Sequence, residues 1–301
     1  MSTPTTLELP TGVRRTTATS ARGEFAVLEA LPATGVAEFG TALLVPGYTG
    51  SKEDFINVLD QLARAGRRVL AVDMRGQYET AGPDALAAYQ TAELAEDIAA
   101  LAVATETRHL LGHSYGGLVA RAAVLDTQYA PMSLTLLGSG PAAISGTRAD
   151  ELRFVLDYIK DTQLGDLGTK VEEFWHAYQA PQAEAAGTPG DIIEFLRKRI
   201  LASNPAGLVT MARDLLTATD RTKELADLAI PTFVLYGEDD DAWPAEVQEC
   251  MAAELGATRS CIPVAAHSPA VEAPATTAQA LTRFWNTAEG VSASPFASRR
   301  T

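Results

Sequence analysis

The feature that most constrains the fold is an alternation. Short β-branched or leucine-rich runs at 41–45, 68–72, 109–111, 134–137 and 232–236 are separated by segments of helical periodicity. A parallel pair of strands needs a crossover of a dozen residues or more, usually a helix, so this pattern predicts a mostly parallel, twisted sheet with helices on both faces. Residues 12–31 read as two strands before any helix, an antiparallel edge. Ser51 and Asp54 cap a helix carrying Phe55, Val58, Leu59 and Leu62, which Gly66 stops. Another helix spans about 91–105, with Leu94, Ile98 and Leu101 in line. A weaker strand is expected near Ser260-Cys261-Ile262, and a last helix begins near Pro274 with Leu281, Phe284 and Trp285.

One gap breaks the rhythm. Between Leu137 and Thr232 lie four helical patterns. The first carries Leu152, Val155, Leu156 and Ile159. The second follows a Thr169/Glu172 capping box and carries Val171, Phe174, Trp175 and Tyr178. The third begins at Thr188-Pro189 and the fourth at Asn204-Pro205. The expectation is a core of 1–145 and 229–290, an all-helical insertion of 146–228, and a loose tail of 291–301. An insertion leaving the C-terminal end of a strand stands over the edge where open α/β sheets bind ligands.

Composition narrows the partners. The net charge is −14, which opposes binding to phosphate backbones and to anionic membranes, so neither nucleic acid nor membrane insertion is expected. The N-terminal segment shows no basic and apolar leader, and no apolar run reaches the roughly 20 residues of a spanning helix; the expected location is cytoplasmic. Cys250 and Cys261 have no metal-binding spacing and sit in apolar patterns, so they are expected as small core residues, with no metal and no cofactor.

The chemistry concentrates in three places. Gly112-His113-Ser114-Tyr115-Gly116 lies between an apolar strand and a helix. Small residues on either side let the backbone turn sharply, expose the Ser114 hydroxyl, and aim a helix N-terminus at it. A serine needs a base. Of His109, His113, His176 and His267, only His267 follows the last long strand, in a loop before the final helix, where the chain order serine, acid, histidine puts it. The acid must orient that imidazole and stabilise its charged form. Glu238-Asp239-Asp240-Asp241 follows the strand ending at Tyr236, and composition alone does not choose among the four.

These stretches resemble the α/β-hydrolase superfamily, in its serine-nucleophile, esterase- and lipase-like branch with a helical cap. Gly237, Asp240 and Pro244 match its Gly-x-x-Asp-x-x-x-Pro acid loop. His267, Pro269, Glu272 and Pro274 match its His-x-Pro-x-x-Glu-x-Pro stretch, and Asp73-Met74-Arg75-Gly76 resembles its Asp-x-Arg-Gly turn. The resemblance runs from about residue 40 to 286. It implies Asp240 as the acid, with Asp239 and Asp241 as lesser candidates, and an oxyanion hole made by the backbone N–H groups of Tyr48 and Tyr115. It also implies a Ser114–His267–Asp240 triad. Three departures stand out: Pro46 where the family's early loop carries histidine, Ala266 before His267, and Gln77-Tyr78-Glu79-Thr80 after Arg-Gly.

Together the motifs predict a serine hydrolase acting through an acyl-enzyme on a small to medium hydrophobic ester, lactone or thioester. His113, Trp175, Tyr178 and Trp243 are candidate pocket residues, and Phe174 is a further aromatic of the same helix. Arg121, seven residues past Ser114, could meet an anion, although a structural role is commoner for such a residue. Two rivals share the triad: a carbon–carbon hydrolase acting on a ring-cleavage or polyketide-like ketone, and a ligand-binding protein that turns over little. The pattern leaves the oligomeric state open.

Overall fold

A computed structural model of the chain describes residues 2–291, so the tail expected at 291–301 lies outside the described residues apart from Val291. The chain opens with β1 (Val13–Ser20) and β2 (Gly23–Ala30), an antiparallel hairpin in register from Val13/Ala30 to Ser20/Gly23. Then follow β3 (Phe39–Val45), α1 (Ile56–Arg64), β4 (Arg67–Val72), α2 (Thr91–Ala104), β5 (Thr107–His113), α3 (Tyr115–Asp126) and β6 (Ser133–Leu137). Helices α4 (Gly146–Ile159), α5 (Leu167–Phe174), α6 (Ala180–Ala185), α7 (Gly190–Ala202), α8 (Pro205–Thr217) and α9 (Thr222–Asp227) fill the long gap. The chain returns through β7 (Thr232–Gly237), α10 (Ala245–Leu255), β8 (Thr258–Ile262), α11 (Pro269–Glu272) and α12 (Pro274–Ala288).

Among the described residues the strands form one sheet in the order β1-β2-β4-β3-β5-β6-β7-β8. β2 joins β4 antiparallel; every pairing from β4 to β8 is parallel. The mostly parallel sheet flanked by helices is therefore as the alternation predicted. Successive side chains of a strand point to opposite faces. Leu43 and Val45 enter the core beneath α2, α3 and α10, while Ala42 and Leu44 enter the other core, beneath α1 and α12. Both faces are covered, which is why the central strands read as unbroken apolar runs rather than alternating ones.

Local details depart from the sequence reading. The second inserted helix starts at Leu167, after a 3-10 turn at Leu164–Asp166, so Thr169 lies inside it and caps nothing. Its last turn widens into a π-helix at Trp175–Gln179 before α6. Both cysteines are exposed rather than core: Cys261 is on β8, the sheet's far edge, and Cys250 is on α10. No helix among the described residues is long and apolar enough to cross a membrane.

Candidate active site

The backbone packs very closely around Ser114. β5 ends at His113 and α3 begins at Tyr115, so one residue turns the chain from strand to helix. Ser114 does this at φ 54° and ψ −122°, a conformation that L-residues seldom adopt and that costs of order 1–3 kcal/mol. The turn closes only because its neighbours lack side chains. A Cβ on Gly112 would lie 2.1 Å from the Gly116 carbonyl oxygen, and one on Gly116 2.4 Å from that of Pro46. The Ser114 N–H donates to the Leu137 carbonyl (2.9 Å), which ties the turn to β6.

His267 stands between two partners. Its Nε2 is 2.9 Å from Ser114 Oγ and its Nδ1 is 2.9 Å from Asp240 Oδ1. An acceptor at Nδ1 and a hydroxyl at Nε2 fix the tautomer as Nδ1–H, leaving Nε2 free to take the serine proton. Asp240 is buried, which disfavours its charge. Hydrogen bonds from His267 and from the N–H groups of Ala242 and Trp243 nevertheless hold its carboxyl below the usual range. Gln248 Nε2 binds the other oxygen, Oδ2, at 3.0 Å. Asp239 and Glu238 are exposed, and Asp241 turns outward to Arg148 (2.9 Å). Of the four consecutive carboxylates, Asp240 alone is hydrogen-bonded to His267.

His113 lies on the other side of the imidazole, with ring centroids 5.2 Å apart. Its Nε2 donates to the His267 carbonyl at 2.7 Å and so steadies the loop that carries His267. Burial, with the neighbouring His267 ring, pushes His113 down to about 4, so it is neutral at ordinary pH.

A cavity of about 200 Å³ opens above Ser114 and His267. Gly47, Tyr48, Thr49 and His113 contribute to its core side. Its other wall comes from the inserted helices and is mostly apolar: Leu152, Val155, Leu156 and Ile159 of α4, Leu167, Val171 and Phe174 of α5, and Leu208 and Val209 of α8, with Arg148 and Glu151 of α4 as charged members. Tyr48 therefore reaches the cavity, and Tyr115 opens α3, where a helix leaves its first N–H groups without an intrahelical acceptor.

Three of the aromatic expectations need correction. Trp175 is buried among Ile192, Phe195 and Leu196 of α7, one position round the helix from Phe174, which does face the cavity. Tyr178 is exposed and does not line the cavity; it packs edge-on against Phe154 and at a tilt against Phe174. Trp243 lies behind His267, packed on Gly140 with its Nε1–H donating to the Ala142 carbonyl (3.0 Å); its neighbour Ala242 is the lining residue. Arg121 is buried and binds the carbonyls of Pro141 and Thr219, so it is structural. His176 is exposed on the π-turn.

Two contacts around the site escaped the sequence reading. Gln248 had a usable signal: it shares a face of α10 with the buried Met251 and Ala252, and a polar residue there needs a partner. Gln77, whose Nε2 donates to the Gly47 carbonyl at 2.9 Å, stood out only as part of the departure after Arg-Gly, with nothing in the sequence to name its partner.

Comparison with known proteins agrees with the architecture. The chain is 31% identical over 251 residues, 80% of its length and 92% of the relative's, to a pimeloyl-[acyl-carrier protein] methyl ester esterase of Edwardsiella ictaluri. An esterase structure from Thermogutta terrifontis superposes with a TM-score of 0.67 at 23% identity, covering 91% of this chain and 99% of that one. An esterase from Exiguobacterium antarcticum gives 0.70 at 18% identity, covering 91% and 100%. With the alpha/beta hydrolase sequence profile matching residues 42–280 as well, the chain belongs to the alpha/beta hydrolase family of enzymes.

Proposed function

We propose that the protein is a serine hydrolase that cleaves a hydrophobic carboxylic ester of small to medium size through an acyl-enzyme. The observation that carries this reading is the unbroken line of contacts from Asp240 through His267 to Ser114, 2.9 Å at each step, at the floor of an apolar cavity. In the first half-reaction His267 Nε2 takes the Ser114 proton as Oγ attacks the carbonyl carbon. Asp240 stabilises the imidazolium that forms. The N–H groups of Tyr48 and Tyr115 receive the negative oxygen, a role whose loss typically costs on the order of 10²–10³ in rate. The tetrahedral adduct collapses, the alcohol leaves with the proton from His267, and the acyl group remains on Ser114. Water, deprotonated by His267, then attacks the acyl carbon and releases the acid.

The acyl group is assigned to the α4 wall. Leu152, Val155, Leu156 and Ile159 recur at helical spacing along one face, and seven residues of helix rise about 10 Å. A linear chain laid along that stripe would meet apolar side chains for its whole length. The relative's methyl ester substrate supports a small alcohol as leaving group. The test is release of p-nitrophenol from esters of increasing acyl length by the native protein and by Ser114→Ala. Activity that peaks at one length and disappears in the variant is expected; turnover surviving in Ser114→Ala would overturn the nucleophile assignment.

A further inference from the structure

The loop that supplies the Tyr48 N–H lacks the family's histidine, having Pro46 in its place; within the loop the Gly50 N–H donates to the Gly47 carbonyl (3.1 Å), and from outside it one side chain reaches the same oxygen. Gln77, in the turn after β4, is 1% exposed. Both ends of its amide are engaged: Oε1 accepts from the Met74 N–H (3.1 Å) and Nε2 donates to the Gly47 carbonyl (2.9 Å). An N–H at one end and a carbonyl at the other allow only this orientation of the amide.

The Gly47 carbonyl and the Tyr48 N–H are the two ends of a single peptide unit. That unit is planar and trans, so the two groups point in opposite directions and fixing one fixes the other. Gly47 also abuts the nucleophile: a Cβ there would lie 3.0 Å from Ser114 Cβ and 3.4 Å from its Oγ. If the peptide turned over, a carbonyl oxygen would replace the N–H donor beside the developing oxyanion. The turn bearing Gln77 is pinned on both sides by the junction of α7 and α8. The Asn204 N–H donates to the Gly76 carbonyl (2.7 Å), and the Tyr78 N–H donates to Ser203 Oγ (3.2 Å).

We infer that Gln77 is a positioning residue for the oxyanion donor, holding the Gly47–Tyr48 peptide so that its N–H faces the reacting carbonyl oxygen, in register with the inserted helices through Ser203 and Asn204. The inference rests on the ester-hydrolase reading above. It touches no substrate; it acts through the Tyr48 N–H.

The test compares Gln77→Met, which keeps the length and removes the donor, with Gln77→Glu, whose buried carboxyl is held protonated and so still donates. Three quantities are read: kcat and KM on the preferred p-nitrophenyl ester, and the inhibition constant of phenylboronic acid, which forms a tetrahedral adduct on the serine. Gln77→Met is expected to lower kcat roughly 10–100-fold, within the cost of an oxyanion donor, with KM changed less than about two-fold. Boronate affinity should fall in parallel, and Gln77→Glu should recover part of both. Unchanged kcat in Gln77→Met, a fall in kcat with boronate affinity intact, or equal losses in the two variants would each overturn the inference. If Gln77→Met does not fold, Ser203→Ala, which loosens the same turn while leaving Gln77 in place, is expected to weaken boronate binding by a few-fold; no change there overturns it. Boronate binding is measurable whether or not the native protein cleaves esters. Absence of esterase activity would therefore count against the proposed reaction and not against Gln77, and full activity in Gln77→Met against Gln77 alone.

Discussion

His113 makes a sharp prediction about acid stability. Its ring is buried beside His267, and burial lowers its pKa from 6.5 to about 4. A depressed imidazole favours the fold through its neutral form. That contribution is complete above the unfolded value of 6.5 and is lost as the pH falls toward 4, because the unfolded chain then binds a proton that the folded chain refuses. Between pH 7 and about pH 4.5 the lost stability amounts to about 2–3 kcal/mol, a large part of the roughly 5–15 kcal/mol that holds a domain together. The variant His113→Gln isolates the effect: its amide can still donate to the His267 carbonyl, and it does not titrate. Urea unfolding of both proteins at the two pH values measures it. The native protein should lose about 2–3 kcal/mol more than His113→Gln on acidification, with matching m-values. His109, also pushed down to about 4 by burial, titrates alike in both proteins and cancels. A difference between the two proteins that does not change with pH would refute the argument.

Two further substitutions probe the walls of the site. Ile159→Trp, at the far end of the α4 stripe, should cut kcat/KM for esters that reach it by about ten-fold while leaving short acyl esters within two-fold, since each buried methylene contributes about 0.8 kcal/mol; an unchanged chain-length profile refutes the acyl path. Arg199→Met strands the buried Asp54 carboxylate, now 2.8 Å from the guanidinium, and should lower stability by about 3–5 kcal/mol in thermal or urea melts, with recovery in the Arg199→Met/Asp54→Leu double variant; a single variant as stable as the native protein refutes it.

The sequence made the strands, the turn at Ser114 and the loop of His267 legible because each depends on neighbours a few residues away. Asp240 needed a family pattern, since four adjacent carboxylates look alike until one knows which the fold buries. The aromatics of the inserted helices show the limit. Phe174, Trp175 and Tyr178 share a helix, but which of them meets the cavity depends on helical phase and on where α7 covers the other side, and the widened turn at Trp175–Gln179 shifts that phase. Cys261 was misplaced for a similar reason: a strand reads as apolar whether or not a further strand lies beyond it, and among the described residues β8 has none. The departure at Gln77 was visible but its contact was not, because its partner, Gly47, is thirty residues away and becomes a neighbour only when β3 and β4 align.

The unusual backbone at Ser114 has an evolutionary consequence. Glycine adopts φ 54° without the penalty that serine bears, so Ser114→Gly would return of order 1–3 kcal/mol of strain, less the roughly 0.5–1 kcal/mol of chain freedom that glycine gives up on folding. The proposed nucleophile is thus a standing burden on the fold. On the proposed reading, a lineage released from the need for the reaction would gain stability by replacing Ser114, so the reaction and the stability of the fold pull this position in opposite directions.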